Sequence, residues 1–361
     1  MDTKSLLKLL VETESPSHDK DAVNKVASTV IEEAKKLGAH VEVIENVETG
    51  NHVISKWGSG KNQILFLCHL DTVFSLNTIH KMPYREADGK IFGPVTLDMK
   101  SGIVIALGAI EDAIKNGMAR SVTLLCTSDE EIGSETSRHL IEKLAKESEL
   151  VLVMESALVD GSLKTWRKGV GEFWVKTKGI ASHAGGDHEK GRNAIEEMAH
   201  QILKIQKLTD YSKQTTLNVG VINGGTVSNV VPDECTIQVD VRVMQPGEWE
   251  RLESEMKKLK PVLDGTSLQI TGGLNRPPMP FDSIMENTFA KAKAIAKEIG
   301  IELKAGGSGG GSDGNFVAPL GIPVIDGMGA VGEGYHSERE FIFENCLEER
   351  VKLISELLRK W

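Results

Sequence analysis

The sequence predicts an α/β fold in which a mostly parallel central sheet is interrupted by a smaller inserted domain. Short apolar runs alternate with helical segments over about the first 165 residues, a different order follows from about residue 168, and the first rhythm returns after residue 275. Strands separated by helices form parallel sheets through right-handed crossovers. We therefore expect a discontinuous main domain at 1–167 and 276–361, and an inserted domain at 168–275.

The elements of the main domain follow from the spacing of its apolar residues. Nearly continuous apolar runs are typical of strands that are covered on both faces, and they occur at 63–70, 121–128, 149–156 and 322–327. Apolar residues at helical spacing predict helices at 19–37, 103–117, 134–147 and 283–299.

The inserted domain is predicted from the order β-α-β-β-α-β, which is a known self-contained, ferredoxin-like unit. Alternating or apolar segments predict its strands at 170–179, 215–223, 235–243 and 267–273, and amphipathic segments predict its helices at 193–208 and 247–263. The two-domain layout predicts closure over a substrate, so this domain is expected to act as a lid.

Composition excludes several classes of protein. The 361 residues carry a formal net charge of −10, which argues against a surface for nucleic acid or anionic membrane. The four cysteines are scattered without a CxxC pair, so a disulfide scaffold is not expected, and Cys68 and Cys126, which lie in apolar runs, are predicted to be buried free thiols. The N-terminal segment lacks the apolar core of a signal peptide, and no apolar run approaches the ~20 residues of a membrane span, so a cytoplasmic protein is expected.

Polar residues that could carry chemistry follow the predicted strands. They are His69 with Asp71, Asp98, the run Asp129–Glu131, and Glu155. Each has an ordinary alternative explanation. It is a chance HxD pair for the first, a helix N-cap for Asp98, acids tolerated at a helix N-terminus for the acidic run, and a solvated strand end for Glu155.

Taken together, these residues predict a metal centre. Ligands bind at the carboxyl ends of strands in open α/β sheets. Imidazole combined with hard oxygen ligands suits Zn²⁺, Mn²⁺ or Co²⁺, and two ions bridged by a carboxylate would use this many ligands.

A set of segments distributed along nearly the whole chain resembles one family. They are HLDTV, GPVTLDMKSG, TSDEEIGS, the Glu155 strand end, SHAG (182–185), GGTVSNVVP (224–232), GGGSD (309–313) and GYHSE (334–338). In kind and order they are similar to the co-catalytic zinc peptidases that include glutamate carboxypeptidase, acetylornithine deacetylase and succinyl-diaminopimelate desuccinylase. Within that family they most resemble the bacterial glutamate carboxypeptidases.

The resemblance implies a role for each residue of the metal centre. His69 and Glu155 would hold one zinc ion, Glu131 and His336 the second, and Asp98 would bridge both. Asp71 would orient the ring of His69. Glu130 would be the general base, although spacing alone does not separate Glu130 from Glu131. The family also carries a cis peptide after the bridging aspartate, here Asp98–Met99.

The resemblance further implies a set of residues that contact the substrate. His183 would stabilise the oxyanion, reaching the active site of the other subunit of a homodimer; without the family it reads as an ordinary loop histidine. Asn229 and Arg242 would face the substrate carboxylate. The stretch AGGSGGGSDGNF (305–316) has the composition of a flexible linker, but the likeness favours a binding loop at Gly310, Gly311 and Ser312.

The leading hypothesis is a cytoplasmic dizinc carboxypeptidase that releases a C-terminal amino acid, glutamate or a similar residue, from a small peptide or N-acyl amino acid. Co²⁺ or Mn²⁺ are possible substitutes for Zn²⁺. One alternative is an N-acyl amino-acid deacylase or a dipeptidase with the same machinery. An alternative of another class is a non-catalytic binding protein on this fold.

Overall fold

The computed structural model describes residues 2–60, 62–118 and 120–361. They form two compact units. The larger unit comprises Met1–Arg167, Met279–Ser308 and Ser312–Trp361, and the inserted unit comprises Lys168–Pro278 and Gly309–Gly311.

The helices and strands that the apolar spacing predicts are present with bounds that differ by a few residues, and further elements that it did not predict lie among them. The α-helices are α1 (Thr3–Glu12), α2 (Lys20–Lys36), α3 (Ser101–Lys115), α4 (Arg138–Lys146), α5 (Ala194–Gln206), α6 (Glu248–Lys258), α7 (Ser283–Glu298), α8 (Gly314–Val317) and α9 (Cys346–Lys360). The strands are β1 (His40–Ile44), β2 (His52–Trp57), β3 (Gln63–His69), β4 (Arg85–Ala87), β5 (Lys90–Phe92), β6 (Ser121–Thr127), β7 (Ser148–Val153), β8 (Leu163–Arg167), β9 (Gly169–Lys178), β10 (Ser182–His183), β11 (Thr216–Gly224), β12 (Val230–Val231), β13 (Glu234–Val243), β14 (Ser267–Arg276), β15 (Ala305–Ser308), β16 (Val324–Ile325), β17 (Gly332–Glu333) and β18 (Phe341–Phe343).

The larger unit is organised around a mixed sheet with the strand order β1-β2-β6-β3-β7-β16. The pairings β6–β3, β3–β7 and β7–β16 are parallel, whereas β1–β2 and β2–β6 are antiparallel. The predicted α/β fold is therefore confirmed, with an antiparallel edge on an otherwise parallel sheet. The parallel strands bring their carboxyl ends to one edge of the sheet.

Helices cover both faces of this sheet, as β3 shows. Ile64 and Phe66 pack into a core that includes residues of α1, α2, α3 and α9, whereas Leu65 and Leu67 pack into a second core that includes residues of α4 and α8. Burial of both faces explains why the strands read as continuous apolar runs. The four cysteines are buried free thiols, as predicted for Cys68 and Cys126.

The inserted unit has the predicted β-α-β-β-α-β order. Its antiparallel sheet has the strand order β11-β13-β9-β14. Alternate residues of β13, such as Ile237, Val239 and Val241, pack in one core with α5 and α6. The residues between them, including Asp240 and Arg242, lie on the opposite face of the sheet.

The glycine-rich stretch 305–316 does not behave as a linker. Its first residues form β15, which pairs in parallel with β8, and its last residues enter α8. None of the helices among the described residues combines the length and apolar character that crossing a membrane requires.

Candidate metal centre

The predicted metal ligands come from segments that meet at the carboxyl edge of the central sheet. His69 is the last residue of β3, Glu130 and Glu131 form a short turn after β6, and Glu155 follows β7. Asp98 lies in the distorted turn that leads into α3. His336, between β17 and β18, has a positive φ of 58°. All of these residues belong to the larger unit.

The ligand atoms fall into two groups that share Asp98. In the first group, Nε2 of His69 lies 3.2 Å from Oδ1 of Asp98 and 3.3 Å from Oε1 of Glu155. In the second, Nε2 of His336 lies 3.2 Å from Oδ2 of Asp98 and 3.3 Å from Oε2 of Glu131. Each oxygen of Asp98 thus faces a different imidazole, which is the arrangement that a bridging carboxylate requires.

The residues fit two divalent cations. Ligand distances of about 2.0–2.1 Å around a tetrahedral zinc ion place neighbouring ligand atoms about 3.3 Å apart, close to the separations within each group. Oε1 of Glu131 is buried and has no hydrogen-bond partner among the described residues, so a cation would satisfy an otherwise orphaned oxygen. Imidazole and carboxylate donors suit Zn²⁺, Mn²⁺ and Co²⁺ alike.

The electrostatics of the site also favour bound positive charge. Hydrogen bonds to Asp98 and Glu131 raise the pKa of His336 to about 11. Burial by itself would lower the pKa of His69, but the three surrounding carboxylates outweigh it and hold that pKa well above its usual value. Burial likewise opposes the ionisation of Asp98, yet the two imidazoles hold its pKa well below its usual range. The carboxylates therefore stabilise positive charge on the two imidazoles, and a metal ion that binds there releases their protons.

Asp71 connects the first ligand group to the turn that carries the two glutamates. Nδ1 of His69 lies 3.0 Å from the carbonyl oxygen of Asp71 and 3.5 Å from its Oδ1. Because a carbonyl only accepts, Nδ1 carries the hydrogen and leaves the lone pair of Nε2 for a metal. The Asp71 carboxylate also accepts the backbone N–H groups of Glu130 and Glu131, both at 3.2 Å.

Glu130 lies beside the first ligand group. One of its carboxylate oxygens is within 4.8 Å of ligand atoms of both His69 and Glu155. A second set of ligand atoms within the same spacing joins His69, Asp98 and Glu131. The two neighbouring glutamates thus differ in the group they approach, and this difference is not visible in their spacing along the chain.

The residues predicted to contact substrate lie mainly in the inserted unit. His183, in β10, is exposed, and its Nδ1 accepts hydrogen bonds from the N–H groups of Gly185 (3.1 Å) and Gly186 (3.0 Å). Its hydrogen is therefore on Nε2, which makes the exposed side of the ring a donor. Asn229 is exposed, and its carbonyl accepts the N–H of Ala184 at 2.9 Å.

Arg242 is already paired in the structure. Its Nε and Nη2 donate to the carboxylate of Asp240 at 2.8–3.1 Å, and its Nη1 lies 3.4 Å from the carbonyl oxygen of Gly309. A substrate carboxylate that binds Arg242 would therefore compete with Asp240 for the guanidinium.

The glycine loop is divided between the units. Gly310 and Gly311 group with the inserted unit, where a Cβ on Gly311 would come within 2.8 Å of Cδ of Arg276. Ser312 belongs to the larger unit, is fully buried, and uses its hydroxyl to donate to Asp326. Arg276, which is buried at the end of β14, is a further candidate for contact with the substrate. Sequence reasoning missed it, because the segment NRPP reads as a domain junction.

Comparisons with known proteins agree with this architecture. The family model described as the peptidase dimerisation domain of M20 proteins matches residues 165–260. Carboxypeptidase G2 of Pseudomonas sp. is 29% identical over 98% of this chain and 87% of its own length. Succinyl-diaminopimelate desuccinylase of Nitrosospira multiformis is 27% identical over 99% of both chains. The solved structure of an M20 family metallo-carboxypeptidase from Sulfolobus solfataricus shares the fold with a TM-score of 0.81, at 18% identity over 99% of both chains.

The chain therefore resembles the M20 peptidases, whose dimerisation domain its residues 165–260 match. The resemblance on which the sequence analysis relied is thereby confirmed, and so is the classification as a metal-dependent hydrolase. The peptide bond between Asp98 and Met99 is cis, also as predicted.

A feature of this chain that sequence reasoning missed is the role of Glu340. Its carboxylate accepts the backbone N–H groups of Val95 (3.2 Å), Leu97 (2.7 Å) and Asp98 (3.1 Å). Glu340 lies four residues after His336, so it connects the segments that supply the shared ligand and the second histidine. An acidic residue close behind the GYHSE motif was the available signal.

We expect Glu340→Gln to weaken Zn²⁺ binding. The amide offers one acceptor oxygen and presents an NH₂ group to N–H donors, so the backbone of Asp98 shifts. Loss of such an outer contact lowers metal affinity by about 10–100-fold, which a competition titration with a chromogenic chelator would measure. The matched control is Glu338→Gln, at an exposed acid of the same loop. Equal affinities in both variants would contradict this role.

Proposed function

We propose that this protein is a dinuclear zinc exopeptidase of the carboxypeptidase type, which hydrolyses an amide bond and releases an acidic amino acid such as glutamate. The observation that carries the proposal is the orientation of the Asp98 carboxylate. One of its oxygens faces the ligand group of His69 and Glu155, and the other faces that of His336 and Glu131. Carboxypeptidase G2, a relative over nearly the whole chain, supports the type of reaction.

His69, Asp98 and Glu155 would hold one ion, and Asp98, Glu131 and His336 the other. When bound, such ions lower the pKa of a water molecule and polarise the scissile carbonyl. Glu130 accepts the proton of the attacking water and delivers it to the departing amine. Asp71 keeps the hydrogen of His69 on Nδ1 and holds the backbone of Glu130 in place.

The inserted unit supplies the groups that recognise the substrate in this proposal. The donor Nε2 of His183 stabilises the oxyanion that forms at the attacked carbonyl. Arg242, Asn229 and the loop at Gly310 and Gly311 bind the carboxylate of the released amino acid, and Ser312 anchors that loop through Asp326. Arginine suits this role because it can pair with a carboxylate in a bidentate manner.

A second candidate is an N-acyl amino-acid deacylase. The desuccinylase relative, which covers the full length of the chain, favours it. The same ligands and base would serve, and the difference would lie in the acyl group that is accepted. A panel of N-acyl-glutamates, N-succinyl and N-acetyl diamino acids, and unblocked dipeptides separates these substrates, and cleavage of unblocked dipeptides alone would contradict the carboxypeptidase type.

The first test is Glu130→Gln with Zn²⁺ loaded. Removal of a general base lowers kcat by about 10²–10⁴-fold, while the ligand atoms of both groups remain, so metal content is expected to stay at two ions per chain. Turnover of an N-acyl-glutamate and metal analysis of the same sample provide the measurement.

The matched control is Glu135→Gln, at an exposed acid on the same connection after β6. It should keep both metal content and turnover. A Glu130→Gln enzyme with near-normal kcat would overturn the assignment of the base, and a wild-type chain that binds fewer than one ion would favour a non-catalytic binding protein.

Substitutions of Arg242 and of Asp240 are expected to change KM in opposite directions. Arg242→Gln should raise KM for N-acyl-glutamate about tenfold, the loss of roughly 1.4 kcal/mol of carboxylate binding. Asp240→Asn should lower KM several-fold, because it removes the competing carboxylate. Steady-state kinetics give both values, with Asp264→Asn as an exposed control. A rise in KM for both variants would show that the pair only supports the fold.

The dimer is the last part of the proposal. The inserted unit matches the peptidase dimerisation domain, its edge strand β11 exposes Val221 and Ile222, and Leu203 on α5 is 64% exposed. We propose a homodimer through this unit in which His183 serves the partner's active site.

Mixed dimers test this arrangement. Chains carrying Glu130→Gln and chains carrying His183→Ala should each be inactive alone. If His183 acts across the dimer, random mixing restores about a quarter of the wild-type activity, because half of the dimers contain one intact site. If His183 acts within its own chain, no mixture regains activity, and a fully active monomer in light scattering would also exclude the proposal.

A further inference from the structure

A buried polar cluster lies behind the turn that carries Glu130 and Glu131, and the metal centre does not account for it. It comprises Asn46, Thr49, His52, Ser128, Asp129 and Thr136, all in the larger unit, and we call it the His52 cluster. His52 begins β2 and is only 2% exposed. It matches no motif of the sequence.

One backbone hydrogen bond fixes the state of the His52 ring. The N–H of Ser128 lies 3.2 Å from Nδ1, and the hydroxyl of Ser128 lies 3.1 Å from the same atom. A backbone N–H can only donate, so Nδ1 has no hydrogen and the ring is neutral, with its hydrogen on Nε2. Burial lowers the pKa of His52, although Asp129 and Asp71 oppose this and His139 adds to it.

The other side of the ring reaches the far end of the turn. Nε2 of His52 lies 3.1 Å from Oγ1 of Thr136, which in turn donates to Oδ2 of Asp129 at 2.6 Å. The same oxygen of Asp129 accepts the N–H groups of Thr136 (2.8 Å) and Ser137 (3.2 Å). Asn46 donates to Oγ1 of Thr136 at 2.7 Å, so this oxygen accepts from Asn46 and from Nε2 of His52 while its hydroxyl donates to Asp129.

His52 therefore contacts the chain on both sides of the two glutamates, at Ser128 before them and at Thr136 after them. Asp71 accepts the N–H groups of Glu130 and Glu131 themselves. We infer that His52 is a positioning residue, which fixes the turn so that Glu131 can bind metal and Glu130 can act as base. The assignment of Glu130 rests on the proposed function, whereas the effect on Glu131 concerns metal affinity alone.

Two amide substitutions of His52 distinguish the two contacts of its ring. In His52→Asn the amide oxygen can occupy the place of Nδ1 and accept the N–H of Ser128. In His52→Gln the amide can occupy the place of Nε2 and reach Thr136, which leaves the Ser128 N–H buried without an acceptor. His52→Leu removes both contacts. His139→Gln, at an exposed histidine of α4 that lies near His52, is the matched control.

The experiment measures Co²⁺ affinity by absorption titration, and kcat and KM per folded, metal-loaded chain. For His52→Gln and His52→Leu we expect kcat to fall about 10–100-fold, the size of effect produced by displacing a catalytic group by about 1 Å, with KM within about twofold. Co²⁺ affinity should fall about tenfold, since the contact acts as an outer support of a ligand. His52→Asn should recover most of both quantities, and His139→Gln should change neither.

The inference is overturned if folded His52→Gln retains wild-type kcat and Co²⁺ affinity, or if His52→Asn and His52→Gln lose both equally. Should His52→Leu fail to fold, the comparison of the two amides decides alone. Should the wild type hydrolyse no member of the substrate panel, the proposed function fails, and the Co²⁺ affinities of the two amides still support or overturn the role of His52.

Discussion

The shared carboxylate of Asp98 is the constraint on which the rest of the site depends. Its two oxygens must face two imidazoles that lie 267 positions apart in the sequence, His69 at the end of a central strand and His336 in a loop near the C-terminus. Three surrounding features meet this requirement. The turn before α3 presents the side chain of Asp98, and Glu340 accepts the N–H groups of that turn. The segment that carries Glu340 also carries His336, four residues earlier. The bridge therefore fixes several distant elements at once.

Like charges at one edge of a sheet would ordinarily repel one another, and the arrangement of the site shows how this is balanced. Asp98, Glu131 and Glu155 each lie 3.2–3.3 Å from an imidazole nitrogen, and the pKa values of both imidazoles rise in response. The Asp71 carboxylate is stabilised differently, because it accepts hydrogen bonds from two backbone N–H groups and the hydroxyl of Ser17. The acidic excess of the sequence is thus partly a property of one site, and the net charge says correspondingly less about the outer surface.

Sequence patterns predicted the elements that carry the site and the polar residues at the strand ends, because periodicity reports burial, whereas His336 was predicted only from the family resemblance. The acidic residue behind the GYHSE motif did not by itself indicate the role of Glu340, because its partners are backbone groups more than 240 residues away in the sequence. The role of His52 could not be predicted for the same reason, since a single histidine at the start of a strand has no local pattern that indicates the turn it supports. Arg276 was obscured by the proline pair that follows it, which reads as a boundary between domains.

The glycine-rich stretch shows why composition and fold can point in different directions. Its first part forms a strand against β8, its last part enters α8, and Gly309–Gly311 between them group with the inserted unit. At Gly311 the absence of a side chain has a steric cause, because a Cβ would come within 2.9 Å of Val170 and closer still to Arg276. Glycine there permits close approach of the backbone to an arginine. Backbone N–H groups beside a cationic side chain are suited to bind a carboxylate. The glycines that resemble a linker by composition are therefore the residues that the proposed recognition of an acidic product requires.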